Sequence, residues 1–232
     1  MTEKPDKSEE QVLVTKNLAS IHPISRVELY NFETDYVHLS PHDKEWEKSV
    51  LSNCSFVPRW MAERDSSIVQ LIPYVICVTK DNKILSYRRK GGGEGRLEGK
   101  RSIGIGGHIN YADNLAVNRN IKTITWNTIL FGAAREVEEE LGIDKTDIAK
   151  NLVEVGLIYT PLDGKDKCIT YSTPPVGAVH LGIIFILGID DSVSVKDSEG
   201  LISPKFLAKT PKNLNTYETW SKMILEVIDD IL

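Results

Sequence analysis

The sequence predicts an α+β domain carried behind a shorter N-terminal region, and three observations predict it. Runs rich in β-branched and aromatic residues recur from Ile68 onward, at VQLIPYVICVTKDNKILSYRRK, LVEVGLIYTP and GAVHLGIIFILGI. Two segments carry helical periodicity, one from about Thr128 to Leu141 and one at YETWSKMILEVIDDIL. A hydrophobic share of 41% in 232 residues is enough for one sizeable core with additions.

Residues 1 to about 11, MTEKPDKSEEQ, are polar and are expected to be disordered; they lack the apolar stretch of a signal peptide. SRVELYNF and DYVHLS read as short strands. PHDKEWEKSVLSN reads as a helix, with Pro41 near its start and Asp43 to Glu47 placing acids in the early turns, where the helix dipole favours them. VPRWMAERDSS reads as a second short helix. Residues 1–67 are taken as an appended region and 68–232 as the main domain. In the latter, KDNK joins two strands as a hairpin. GGGEGRLEGKRSIGIGGHIN follows, with eight glycines in twenty residues, which implies tight turns or backbone approaching a ligand. NLAVNRNIKTITWN has no clear period. The helix after it stops at Gly142, as a C-cap would stop it. GAVHLGIIFILGI is apolar enough for a strand buried on both faces. In the last helix Trp220, Ile224, Val227, Ile228 and Ile231 share a face.

Charge and cysteine usage narrow the function. A net charge of −5 and a pI near 5.6 argue against general binding to nucleic acid or to an anionic membrane surface. The three cysteines, Cys54, Cys77 and Cys168, are scattered and form no CxxC, which disfavours a disulfide framework or a zinc site and suits a reducing compartment. No apolar run approaches a membrane span. A cytoplasmic protein is expected.

The most informative stretch is REVEEELGI. On a helix, Glu136, Glu139 and Glu140 stand at i, i+3 and i+4 and share a face. Three like charges there repel one another, and a cation would relieve them. Carboxylate oxygens are hard donors of the kind Mg²⁺ takes while it keeps waters and bridges to phosphates. Ala133, Ala134, Val137 and Leu141 lie on the other side, available for packing. A solvated acidic face is what most charge runs amount to, but Arg135 just before the acids and Leu-Gly-Ile just after them count against it here.

REVEEELGI resembles the second half of the Nudix box, G-x5-E-x7-R-E-U-x-E-E-x-G-U with U a bulky aliphatic. Arg135, Glu136, Val137, Glu139, Glu140, Gly142 and Ile143 fill it without a gap. GIGGHIN resembles the glycine opening, with Gly107 as its first residue. The resemblance extends over about residues 68–232 and implies a Nudix-type α/β/α sandwich around a central mixed β-sheet. The chain departs from the box in one place. Arg135 follows Gly107 by 28 positions where the box has 14, so about 14 residues are inserted. The first Glu of the box is also missing. Counting forward from Gly107 puts Asp113 at its place; counting back from Arg135 puts Asn127 there. Asp113 would pair with Arg135, and Asn127 would cap the helix, and the spacing does not choose between them.

The resemblance implies Mg²⁺-dependent attack of water on the diphosphate of a nucleoside diphosphate linked to a second moiety, with Mn²⁺ as an alternative ion. It implies Glu136, Glu139 and Glu140 as metal ligands, Glu136 or Glu139 as a catalytic acid–base group, and Arg135 as the residue that orients a glutamate. Glu199, in VKDSEGL, is a further candidate base. Glu138 is the variable position of the box and is expected to face elsewhere. Gly106 and Gly107 are candidates for backbone contact with substrate. Of six basic residues nearby (Arg88, Arg89, Lys90, Arg96, Lys100 and Arg101), Arg96 and Lys100 are favoured as phosphate grips, with Arg88 third; ordinary surface charge is the alternative for each. His108 is either a substrate or metal contact or a structural histidine. His180 is expected in the core, as are Tyr74, Tyr87, Tyr159 and Trp220. Two other functions compete: a non-catalytic Nudix ligand sensor, which usually has eroded metal glutamates, and an isopentenyl-diphosphate-isomerase-like enzyme, which HINYAD disfavours because it lacks a cysteine. The partner expected is a small-molecule nucleotide or diphosphate, with no nucleic acid and no membrane. The 114–127 insertion and residues 1–67 are assigned to substrate walls, a lid or a homodimer interface.

Overall fold

A computed structural model describes residues 7–16, 30–32, 35–39, 44–90, 99–118, 123–160, 176–190, 193, 195 and 201–232. In chain order the elements are β1 (Gln11–Lys16), β2 (Tyr30–Phe32), β3 (Asp35–Leu39), α1 (Lys44–Ser52), β4 (Ser55–Pro58), α2 (Arg59–Ala62), β5 (Ile68–Thr79) and β6 (Ile84–Arg89). They continue as β7 (Arg101–Ser102), β8 (Gly104–Ile105), α3 (Tyr111–Val117), α4 (Trp126–Leu141), α5 (Lys145–Asn151), β9 (Leu152–Tyr159), β10 (His180–Ile189), β11 (Leu201–Leu207) and α6 (Thr219–Glu226).

The sheet runs β11-β6-β5-β10-β9-β3-β2. β5 and β10 are parallel, with Leu71 opposite Leu181 and Val75 opposite Phe185, while the other pairs are antiparallel, so the sheet is mixed as expected. The parallel pair lies at its centre, covered on both faces, which explains why its sequences are continuously apolar. Side chains of β5 alternate between two cores. Val69, Leu71, Val75 and Cys77 meet Ile129, Ala133, Ala134 and Val137 of α4. Tyr74, Ile76 and Val78 meet Met223, Ile224 and Leu225 of α6. The period-2 strand pattern thus builds an α/β/α sandwich, and the expected fold class holds.

Strands that precede residue 68 are joined to this sheet. β1 pairs with the start of β5, Val14 opposite Gln70, and β3 pairs with β9, Val37 opposite Ile158. The expectation of disorder for the first 11 residues falls on residues 1–6, outside the described set, and on a short 3-10 turn, Lys7–Glu9, that leads into β1. Helix α4 starts two residues earlier than its periodicity indicates, because Thr125 and Thr128 form a capping box. β11 is an edge strand with Pro204 within it, a bulge, and Ser203 at φ 51°, so it carries little strand signal. No described helix is long and apolar enough to cross a membrane.

Burial pushes the thiols of Cys54 and Cys77 up to about 12, with a Thr15 hydrogen bond opposing it at Cys54, so both stay protonated and unreactive near neutral pH. Cys168 lies outside the described residues.

Helix α6 is fastened by Glu218, its N-cap, which is 6% exposed. The carboxylate accepts from the backbone N–H of Trp220 at 2.8 Å and of Ser221 at 2.9 Å, from the Tyr74 hydroxyl at 2.6 Å, and from the Ser221 hydroxyl. Replacing Glu218 with Ala removes the cap and leaves the buried Tyr74 hydroxyl short of a partner. The expected loss is about 2–4 kcal/mol of unfolding free energy, measured by urea denaturation.

Candidate active site

The site is built where the end of β8 meets the second half of α4. Two glycines make the approach possible. A Cβ on Gly106 would stand 2.1 Å from the Pro73 carbonyl oxygen of β5, so only glycine lets the chain lie this close to the strand. A Cβ on Gly107 would stand 2.4 Å from the carboxyl carbon of Glu136. The Glu136 side chain therefore occupies the space that any other residue at 107 would fill. At the other end of α4, Gly142 adopts φ 69°, and its N–H closes the helix on Glu138 O at 2.8 Å.

Arg135 is the hub. Its Nε donates to Asp113 Oδ1 at 2.9 Å and its Nη2 to Asp113 Oδ2 at 3.2 Å. Nη1 donates to Glu136 Oε1 at 2.8 Å and to Glu139 Oε1 at 3.1 Å, and Nη2 also donates to the His108 carbonyl at 2.9 Å. Three carboxylates and one carbonyl share one guanidinium. Asp113, 1% exposed, is held independently: it is the N3 residue of a capping box with Asn110, whose N–H donates to Asp113 Oδ2 at 2.9 Å. Of the two alternatives for the missing Glu, Asp113 is the one that pairs with Arg135. Asn127 is exposed in the first turn of α4, and the cap there is Thr125.

Burial alone would lower the Arg135 pKa, but Asp113, Glu136 and Glu139 outweigh it and hold it above its ordinary value. Glu136 shows the opposite balance. Burial raises its pKa, and Arg135 opposes that only in part, while Glu139 and Asp113 add to the rise. A carboxylate kept partly desolvated beside like charges is the state a bound cation would relieve.

Glu139 is 58% exposed and turns onto Arg135. Burial pushes the Tyr87 phenol up to about 12, and Glu140 adds to that rise. Glu138 faces away, with its carboxylate on the Lys145 ammonium at 2.8 Å, as its variable place in the box implies. Among the described residues no three His, Cys, Asp or Glu side chains stand grouped closely enough to hold an ion, and Glu136 and Glu139 both accept from Arg135 Nη1. The donor set still suits a hard divalent cation. All three are carboxylates on one helix face, Glu136 is lodged at the Gly107 backbone, and the exposed Glu139 can change rotamer without disturbing packing.

The remaining candidates separate. Arg96 and Glu199 lie outside the described residues. Lys100 is exposed. Arg88 is exposed and donates to the Gly99 carbonyl at 3.0 Å; by strand alternation it shares a face with Ser86, the face of α6 and not of α4. Arg89 shares a face with Leu85 and Tyr87, both in the core under α4, and it opposes the rise that burial causes in the Tyr87 phenol. Arg101 is structural: it is 7% exposed and donates to Ser86 Oγ at 3.0 Å and Ser86 O at 2.8 Å. His180 is buried in β10, and its ring centroid lies 5.6 Å from that of His108. Tyr74, Tyr87 and Tyr159 are buried, and Trp220 packs edge-on to Tyr74. Arg89 was among the six basic candidates but not favoured; the period-2 alternation through Leu85 and Tyr87 distinguishes it from Arg88. Sequence reasoning passed over Asn114, Asn118, Thr125 and Thr128, in the segment without a period.

No family model matches the chain. Protein YmaB of Bacillus subtilis (strain 168) is 32% identical over 173 residues, spanning 72% of this chain and 75% of YmaB. The crystal structure of Tm1382, a protein assigned to the Nudix hydrolases, superposes with a TM-score of 0.61 at 23% identity, covering 96% of this chain and 100% of that one. The MutT protein of Methanosarcina mazei Go1 superposes with a TM-score of 0.39 at 20% identity, over 69% of this chain and 93% of that one.

The raised Glu136 pKa has a consequence for stability. A folded pKa above the unfolded one favours the fold below the unfolded pKa, and this contribution is lost as pH rises through the folded pKa. The ionised carboxylate therefore weakens the metal-free fold at neutral pH. Glu136→Gln is expected to raise the metal-free Tm at neutral pH, with the gain vanishing as pH falls below the ordinary carboxylate range. Calorimetry at both pH values checks it; an equal or lower Tm at neutral pH would contradict it.

Proposed function

The chain has the Nudix fold and belongs to one family with YmaB, and from that premise we propose that it is a divalent-metal-dependent hydrolase of diphosphate bonds. Its substrate class is a nucleoside diphosphate linked to a second moiety. The observation that carries this reading is the Arg135 hub, which gathers Glu136 and Glu139 beside the Gly107 backbone. Glu136, Glu139 and Glu140 would hold Mg²⁺ or Mn²⁺. When bound, the ion would neutralise the diphosphate and lower the pKa of a water.

In this reading Asp113 fixes Arg135, and Arg135 fixes the two glutamates so that little reorganisation is needed when substrate arrives. Glu139, the more exposed of the two, takes the proton of the attacking water. The N–H groups around Gly106 and Gly107 lie against the phosphates, where a side chain would obstruct them. Arg89, on the α4 side of the sheet, grips phosphate in preference to Arg88. Ligands that other Nudix-fold proteins carry, such as the ADP-ribose bound to the NUDIX domain of Shewanella oneidensis NrtR, give a starting panel.

A second reading, a non-catalytic ligand-binding domain, is favoured by the insertion inside the box. One experiment separates them. Phosphate release is followed for a panel of nucleotide sugars, dinucleotide polyphosphates, ADP-ribose and nucleoside triphosphates, with Mg²⁺ or Mn²⁺ and then with EDTA. An added phosphomonoesterase reports products that are phosphomonoesters. Metal-dependent turnover of at least one compound is expected, reduced about 100-fold or more in Glu139→Gln. Turnover of no compound by folded protein that binds the ion would favour the binding-domain reading. For the compound turned over, Arg89→Ala is expected to raise KM about 10-fold or more while Arg88→Ala changes it little; equal effects would contradict the assignment of Arg89.

A further inference from the structure

The acid that braces Arg135 does not belong to the helix that carries Arg135. Asp113 arrives on α3, and the insertion separates it from α4. The Asp113–Arg135 pair would have to hold that joint by itself unless α3 and α4 were tied elsewhere. They are tied at the base of the insertion. Thr128 Oγ1 donates to Asn114 Oδ1 at 2.8 Å, and Asn118 Nδ2 donates to the same oxygen at 2.6 Å and to Thr128 Oγ1 at 3.0 Å. Thr125 Oγ1 donates to Asn118 Oδ1 at 3.3 Å, and the Thr125 N–H donates to Thr128 Oγ1 at 3.4 Å. Asn114 and Thr128 are fully buried.

The two helices meet along one stripe. Thr128, Gly132 and Arg135 stand at i, i+4 and i+7 on α4 and share a face. They meet, in turn, Asn114, Asp113 and again Asp113: a Cβ on Gly132 would lie 3.2 Å from Asp113 Oδ2. Asn114 is adjacent to Asp113 in the chain, so whatever fixes one fixes the other. An apolar pair of similar volume would bury as much surface, but it would not fix the register between the two helices, whereas directional hydrogen bonds do.

We propose that Asn114, Asn118 and Thr128 form a latch across the base of the insertion and act as positioning residues, setting Asp113 against Arg135 and, through Arg135, setting Glu136 and Glu139. The kinetic part of this proposal rests on the hydrolase reading; the structural part does not. The latch also explains how the box tolerates about 14 extra residues: the chain leaves and re-enters the helical stripe at two points that are hydrogen-bonded to each other.

The test uses the full chain with Thr128→Val, which keeps volume and removes the hydroxyl, and Thr128→Ser, which keeps the hydroxyl. Two quantities are read: the hydrogen-exchange protection of the Arg135 Nε–H, assigned in ¹⁵N spectra by its disappearance in Arg135→Lys, and kcat and KM on whichever panel compound is turned over. The latch predicts that Thr128→Val stays folded but loses about 10-fold or more of that protection and of kcat, with KM little changed, and that Thr128→Ser keeps both. Unchanged protection and kcat in Thr128→Val would overturn it. If Thr128→Val does not fold, Asn118→Ala at the edge of the latch is read in the same way. If the wild type turns over nothing, the hydrolase reading fails while the exchange measurement still decides the latch.

Discussion

A single guanidinium shared by three carboxylates is the interaction on which the site depends. Arg135 bonds to Asp113 with two nitrogens and to Glu136 and Glu139 with a third. Without it, three acids on two helices would face one another across a partly desolvated space, and their repulsion would open the joint. Each charge-assisted hydrogen bond of this kind contributes about 1.5–3 kcal/mol, and the two from Arg135 to Asp113 join α4 to α3. The surrounding features serve this arrangement: the capping box that presents Asp113, the bare Gly132 that admits it, and Gly107, which leaves room for Glu136.

The same arrangement keeps Glu136 under tension. Its carboxylate is buried enough to raise its pKa although a guanidinium is in contact with it. Another buried carboxylate, Glu218, is matched more fully. It is more deeply buried than Glu136 and accepts hydrogen bonds from two backbone N–H groups and from the hydroxyls of Tyr74, Ser221 and Ser102. One buried carboxylate is saturated and structural, while the other is under-compensated and faces the glycine opening. That contrast is the one the proposed metal-binding role of Glu136 would use.

What could be read from the sequence follows from how local each signal is. The α/β/α sandwich was implied by the resemblance that REVEEELGI carries, and β5, β10 and α4 were legible in themselves because they carry long, unbroken patterns. REVEEELGI was legible because the residues on one face of a helix are contiguous in sequence. The brace was not. Asp113 and Arg135 meet in space across 22 positions, and the insertion removes the spacing that would have chosen between Asp113 and Asn127. The clue that remained, Asn110 three residues before Asp113 in a capping-box pattern, lies between the glycine-rich run and a segment with no clear period. β1, α5 and β11 were passed over because they are short, and β11 because of its proline. The alternation that Leu85 and Tyr87 set four and two residues before Arg89 separates it from Arg88, and the sequence analysis left that alternation unused.

The central claim is that Asp113, though displaced onto its own helix, organises the carboxylates that take a divalent ion. Calorimetric titration of the full chain with Mn²⁺, comparing wild type with Asp113→Asn, tests it most directly, because the substitution leaves Glu136, Glu139 and Glu140 in place. The account predicts saturable binding by the wild type, weakened about 10- to 100-fold in the variant. Equal affinity in the two proteins would show that the brace does not order the ligands, and the account would fail.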